Sequence, residues 1–442
     1  MVTGVQTCAL PISVAQLINQ GFAADGAADA EKSLNAGVDI DMSSGLYREH
    51  LAAVDAAVRR VLRLKFELGL FEHPYAEPGS LTAAAPNPAQ LALVEEFAAR
   101  ALVLLKNTGT LPLAASARRI ALLGPLATSS GPLLGCWPQQ GQPAETQSIA
   151  DALRERLPAD VALRVEPGCS IQGAADDDLA PALAAAREAD LVILCLGEEG
   201  WMSGENASRS TLRLAGRQAE LAQAVAATGR PVVLILVSGR PLELQALEEK
   251  MSAIIAAWGG GTRAAAALVD TLLGRRNPSG RLAVTWPRTA GQIPLYHNMR
   301  ARARPGSEGA YRDMPVTPLY EFGHGLGYTT FSYSPLRLDR TEVKAGGQLL
   351  AEVTVTNTGA REGVETVFWF IRDPAASITR PLKELKHFEQ ASLAAGANRV
   401  FRFVIEPMRD LSFPDGDGRR MLEPGEIILT AGGSSATFRI VR

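Results

Sequence analysis

Between residues 91 and 287, apolar strand-like runs alternate with amphipathic helical stretches: RRIALLG, LRVEPG, ADLVILCLG, RPVVLILVSG and AIIAAWGGG, closed by RLAVTWP. This alternation is the signature of an α/β layer built on a mostly parallel sheet. Nearly every run stops at a glycine. In an open sheet of this type the ligand crevice lies beyond the carboxyl ends of the strands, where glycines let loops fold tightly; as ordinary βα turns they would do no more than connect. A nucleotide-binding fold is the rival, but no GxGxxG or GxxxxGKS/T pattern follows any strand.

The pattern changes after residue 335. LLAEVTVTNTG, ETVFWFIRD, KELKHFEQASL, NRVFRFVIEP, GEIILTAGG and ATFRIV are short alternating strands with turn signals between them and no helical stretch. About seven strands in about a hundred residues argue for an antiparallel sandwich of fibronectin type III kind. Between the two patterns, residues 298–330 are irregular and too long for a plain connector, so they are either functional or a brace between domains.

Upstream, residues 14–71 read as helix, short strand, helix. In the second helix Leu51, Val54, Val58, Val61 and Leu62 share one face expected to be buried, and Gly69 stands where a left-handed cap is common. NAGVDIDM (35–42) has the length of a strand, yet this unit cannot close a sheet alone and reads as a remnant of something larger. A stretch rich in Pro, Ala and Gly at 74–88 reads as a linker.

The first residues, MVTGVQTCALPI, lack the basic start and continuous apolar core of a signal peptide. With suitable codons they back-translate to a common sequencing adapter, so residues 1–13 are expected to be an artefact, with the natural frame cut near Ser13. Cys8 belongs to that tag.

The 442 residues suffice for roughly two to four domains at about 150 each. A formal charge of −3, spread along the chain, argues against nucleic acid as a partner, and no apolar run reaches the ~18 residues of a membrane span. Cys136, Cys169 and Cys195 form no CxxC pair and are expected as free thiols. His50, His73, His297, His324 and His387 are scattered, with no HExxH-like pair to suggest a metal site.

The loop after ADLVILCLG, GEEGWMSGENASRSTLRLAGRQ, carries Glu198, Glu199 and Glu205, the indole of Trp201 and the guanidiniums of Arg209 and Arg213. A glycosidase needs a carboxylic acid held protonated near neutral pH, beside a surface that stacks on a sugar ring. Glu205 is the candidate acid and Trp201 the candidate stacking face, while Arg209 would bond sugar hydroxyls or hold a neighbouring carboxylate. A solvated charged loop is the plain alternative.

The ordered set NAGVDIDM, VLRLKFELGLFEHPY, ALVLLKN, LGP, GEEGWMSGENASRS, PVVLILVSGRPL, AAWGGG, GRRNPSGRLAVTWP, YEFGHGLGYTTF and VTNTGAREG resembles the C-terminal two thirds of family 3 glycoside hydrolases of the β-glucosidase type. The resemblance implies a remnant of a (β/α)8-type barrel at 14–75, a linker and lead-in helix at 76–100, the family's α/β sandwich domain at 101–330, and a fibronectin type III-like β-sandwich at 331–442. It implies Glu205 as general acid/base, with Trp201, Met202, Ser208 and Arg209 as substrate-binding residues and no metal or cofactor.

The family nucleophile, an aspartate in a Ser-Asp-aromatic stretch, would fall where the adapter sits. Asp39 and Asp41 belong to a later barrel strand in the family pattern and are not expected to replace it. The implied reaction is retaining hydrolysis of β-glucosides in the intact parent, on an oligosaccharide or aryl β-glucoside, with β-xylosides as the family alternative. A non-catalytic carbohydrate-binding or structural role is the alternative for the fragment. The family suggests a periplasmic or secreted parent. A homodimer is left open, and residues 14–71 are expected to expose apolar surface and favour association.

Overall fold

The computed structural model describes residues 14–19, 21–41, 44–50, 55–75, 87–139, 141–300 and 311–442. The chain divides into two compact units, one ending at Asn87 and the other beginning at Pro88. The expected tag at 1–13, Leu51 and Val54, and residues 76–86 of the linker lie outside the described residues.

The first unit holds helices Gln16–Asn19, Gly26–Asn35, Leu46–His50 and Asp55–Glu67. Asp25 caps the second by accepting the Ala28 N–H at 2.9 Å. Gly69, at φ +68°, ends the last helix in the left-handed conformation expected there. Two expectations fail. NAGVDIDM forms no strand among its described residues, and the described residues of this unit offer no other strand for it to pair with. On Asp55–Glu67 only Ala57 is buried, whereas Val58 is 45% and Leu62 41% exposed. Apolar spacing marks which face can be covered and cannot supply the cover.

The second unit begins with helix Pro88–Ala101 and a six-stranded sheet. Its strands are β1 (Val103–Asn107), β2 (Arg119–Leu123), β3 (Ala162–Glu166), β4 (Leu191–Gly197), β5 (Val232–Val237) and β6 (Ala253–Ala256), in the order β1-β6-β5-β4-β2-β3. All pair in parallel except β1, an antiparallel edge against β6. β4 and β5 are buried along their whole length. Their side chains alternate between two cores, as the twofold period of a strand requires. Val192, Leu194 and Leu196 meet Ala182, Ala185, Leu221 and Val225, while Ile193 and Cys195 meet Ile149, Leu153, Leu268 and Leu272. Helices therefore cover both faces.

RLAVTWP, expected to close the sheet, is not a strand. It is irregular, bends at Ala283 and Val284, and makes one isolated bridge, Trp286 to Tyr320. Leu282 and Trp286 are buried by packing, whereas Ala283 and Val284 are exposed; the Trp286 indole N–H donates to the Leu242 carbonyl at 2.8 Å.

The sandwich contains β7 (Phe331–Tyr333), β8 (Arg337–Leu338), β9 (Glu342–Lys344), β10 (Leu349–Asn357), β11 (Gly363–Arg372), β12 (Glu384–Leu393), β13 (Asn398–Ile405), β14 (Phe413–Pro414), β15 (Arg420–Met421), β16 (Gly425–Ala431) and β17 (Ser434–Val441). One sheet runs β13-β10-β7 with β8 also on β10; the other runs β12-β11-β16-β17-β9. The inner faces enclose Trp369, Phe401, Phe438 and Val353. A single helical turn, Pro407–Asp410, interrupts the otherwise helix-free pattern.

The described residues of the irregular segment at 298–330 brace the unit. Leu326 N–H bonds the Leu104 carbonyl at 2.8 Å, the Tyr328 hydroxyl bonds Thr271 O at 2.9 Å, and Met299 O accepts from Leu382 N–H of the sandwich at 2.9 Å. Among the described residues, no helix is long and apolar enough to cross a membrane.

Candidate active site

The loop after β4 lies at the carboxyl edge of the parallel strands, where an α/β sheet places its ligand crevice. It opens with Glu198, whose backbone N–H still bonds Val237 O of β5 at 2.9 Å, and makes one 3-10 turn at Gly200–Met202. It closes at Gln218, the first residue of helix Gln218–Ala226. The Gln218 side chain is fully buried and bonds both the N–H and the carbonyl of Gly197, at 2.8 and 3.0 Å. The two feet of the loop are thus tied together.

Two neighbouring loops pack beside it. Gly204, at φ +95°, turns the chain past the loop after β2. A Cβ built on Gly204 would lie 3.1 Å from Cys136 Sγ and 3.4 Å from Trp137 Nε1. The loop after β6 joins the same edge, with Gly261 N–H bonding Leu133 O at 2.7 Å.

Glu205 is exposed on the turn between Gly204 and Asn206, and Asn206 takes the left-handed conformation at φ +56° that Asn tolerates better than most residues. Its carboxyl group makes no hydrogen bond or ion pair within the described residues. Trp201 is 64% exposed. Met202 is half-buried against the β-sheet core, and its sulfur accepts the Glu199 N–H at 3.4 Å. Ser208 is exposed. Arg209 turns inward, donating to Glu198 Oε1 at 2.7 Å and to Arg213 O at 3.0 Å. Of its two expected roles, the structure displays the hold on a neighbouring carboxylate.

Glu198 and Arg240 were not among the expected site residues. The Glu198 side chain is fully buried and shared between Arg209 and Arg240, the latter at 3.3 Å. Arg240 Nη2 also donates to the Met202 carbonyl and, at 2.8 Å, to the Ala207 carbonyl. The only hint in the sequence is that Glu198 directly follows a continuously apolar strand. Glu199, the next residue, has its carboxyl raised above the ordinary range by burial.

The groups in the unit before Asn87 are engaged locally. Asp39 pairs with Arg60 at 2.8 Å. Burial would raise the Asp41 carboxyl, but hydrogen bonds from Ser44 outweigh it and hold the group below its usual range. Among the described residues no cluster of His, Cys, Asp or Glu could hold a metal ion.

Residues 102–328 match the glycosyl hydrolase family 3 C-terminal domain, and residues 365–435 match a fibronectin type III-like domain. A periplasmic β-glucosidase of Salmonella typhimurium is 33% identical over 97% of this chain and 61% of its own length. A β-xylosidase of Formosa agariphila is 33% identical over 86% of this chain and 54% of its own length. The crystal structure of a β-glucosidase from Listeria innocua in complex with glucose superposes with a TM-score of 0.87 at 33% identity, covering 97% of this chain and 62% of that one. The chain therefore belongs to glycosyl hydrolase family 3, as an α/β domain followed by a fibronectin type III-like sandwich. It spans a little over half the length of these relatives, which are glycosidases.

Proposed function

We propose that this chain carries the acid/base half of a retaining β-glucosidase active site, with Glu205 as the acid/base. The observation behind this reading is an exposed carboxyl on a turn at the carboxyl edge of the sheet, on the same short loop as the exposed indole of Trp201. Glu205 protonates the glycosidic oxygen as an aspartate attacks the anomeric carbon, and then takes a proton from the water that releases the sugar. The two carboxyl groups stand about 5–5.5 Å apart in such a pair. Trp201 stacks on a sugar ring, with Met202, Ser208 and the outer face of Arg209 contacting substrate. The substrate is a terminal β-glucoside in an oligosaccharide or an aryl β-glucoside, and neither metal nor cofactor takes part. The Salmonella relative's periplasmic designation supports a periplasmic or secreted location.

One carboxylate cannot run a double displacement. On this reading the 442-residue chain alone has negligible turnover of an aryl β-glucoside. A product extended upstream of Val14 to include a barrel with a Ser-Asp-aromatic stretch is active, and Glu205→Gln lowers its kcat by roughly 10²–10⁴-fold for a poor leaving group. Substantial turnover by the chain alone, or an unaffected Glu205→Gln variant, refutes the assignment. The Formosa relative supports β-xylosidase as a second reading. The ratio of kcat/KM on the two aryl glycosides separates it from the first.

A further inference from the structure

A loop of this length, with a single 3-10 turn in it, has no ladder of its own to hold a reacting group in place. A general acid must nevertheless stay within hydrogen-bond reach of the oxygen it protonates. We infer that Arg240, held by the buried carboxylate of Glu198, is the positioning residue that fixes the Glu205 turn. The inference rests on the reading of Glu205 as acid/base.

The geometry is specific to that turn. One guanidinium donates to the carbonyls of Met202 and Ala207, which bracket Glu205 in the chain. Backbone groups on both flanks of the turn thus converge on a single rigid, planar donor, a task suited to the five fixed N–H groups of arginine. Arg240 is anchored in turn. Its carbonyl accepts the Ser238 hydroxyl at 2.6 Å, and Ser238 lies directly beyond β5. Its Nε donates to Glu198, directly beyond β4. The turn is therefore referenced to the ends of two central strands.

The charge arrangement explains why both residues are needed. Glu198 has no solvent-accessible side chain, and a buried carboxylate persists only when paired and hydrogen-bonded. Two guanidiniums meet that requirement, so the carboxylate orients Arg240 and Arg240 orients the loop. Neither residue need touch substrate. Both act through the backbone of residues 202–207.

Amide hydrogen exchange of the 442-residue chain tests the placement without requiring turnover. In Arg240→Met the amides of residues 200–208 should exchange at least about tenfold faster, while β4 and β5 stay protected. Arg240→Lys keeps a charge for Glu198 but lacks the fork, and should fall between the two. It also serves as the test should Arg240→Met fail to fold. Unchanged loop protection in Arg240→Lys or Arg240→Met overturns the inference.

Activity of the upstream-extended product separates this inference from the reading beneath it. Arg240→Met should lower kcat more than it raises KM, and should lower it more for an alkyl glucoside than for a dinitrophenyl glucoside, as Glu205→Gln does. Arg240→Lys should restore part of the loss. If Glu205→Gln lacks this leaving-group dependence, the acid/base assignment is wrong. If Glu205→Gln shows it and Arg240→Met does not, Arg240 is not the positioning residue.

Discussion

Arg281 Nη2 lies 2.7 Å from Glu365 Oε2, and the other oxygen of that carboxylate accepts the Tyr333 hydroxyl at 2.6 Å. Arg281 belongs to the α/β domain and Glu365 to the sandwich, and each side chain is only 12% exposed. The pair is a polar rivet between the two folds. Breaking one side of a largely buried pair strands the other charge.

Glu365→Ala should therefore lower stability by about 2–4 kcal/mol in urea denaturation, somewhat below the range for fully buried pairs. The double variant Arg281→Met with Glu365→Leu should recover much of that loss, because no unpaired charge remains. Additive losses would show that the two residues act independently.

The end of β4 sets a second limit. Gly197 has φ +146°, and a Cβ there would fall 1.8 Å from the Val237 carbonyl oxygen, a backbone atom that cannot swing away. Gly197→Ala should cost about 3 kcal/mol or more, through strain and forced separation of β4 from β5. Thermal unfolding against the wild-type chain checks it, and a change below about 1 kcal/mol would contradict the geometry.

These two positions show what the sequence could and could not display. β4 was legible because seven consecutive residues had to be buried, and the glycine at its end marked the loop that holds Glu205. RLAVTWP also carries a run of apolar residues but buries Leu282 and Trp286 while exposing Ala283 and Val284, and its apolar run alone does not separate it from a strand. The antiparallel edge place of β1 was equally hidden, because choice of partner strand leaves no local mark. Glu198 looked like one of three loop carboxylates. Its partners stand eleven and forty-two residues further on, and only the folded chain brings them together.

The described cysteines should differ sharply in reactivity. Cys195 is fully buried in the sheet, and burial pushes its thiol far up; Cys169 is raised to about 11 by the same cause. Cys136 is half-buried at the loop edge against Gly204. Because the thiolate is the nucleophile, iodoacetamide at pH 8 should modify Cys136 in the native protein, with Cys169 and Cys195 reacting only after denaturation. Peptide mapping by mass spectrometry decides it, and native labelling of Cys195 would contradict its placement.

His324 gives the chain a stability slope near neutral pH. Its ring stacks on Tyr320 with centroids 4.7 Å apart, and its Nε2 lies 2.8 Å from Leu105 O. Burial holds its pKa below the ordinary 6.5, and the Arg281 guanidinium adds to the effect against the opposing hydrogen bond to Leu105. The native state thus keeps a neutral ring while the unfolded chain takes up a proton at its ordinary value. Stability is full above pH 6.5 and falls as the pH drops from there towards the depressed native value. His297, lowered by burial and by Lys383, contributes in the same direction. Urea denaturation at pH 7.5 and 5.5 should show a smaller acid-side loss for His324→Gln than for the wild-type chain, with a remainder traceable to His297. At pH 7.5 the variant should be about 1 kcal/mol less stable if Gln fails to restore the Leu105 hydrogen bond. Identical pH dependence in the two proteins would mean that His324 titrates freely in the native state.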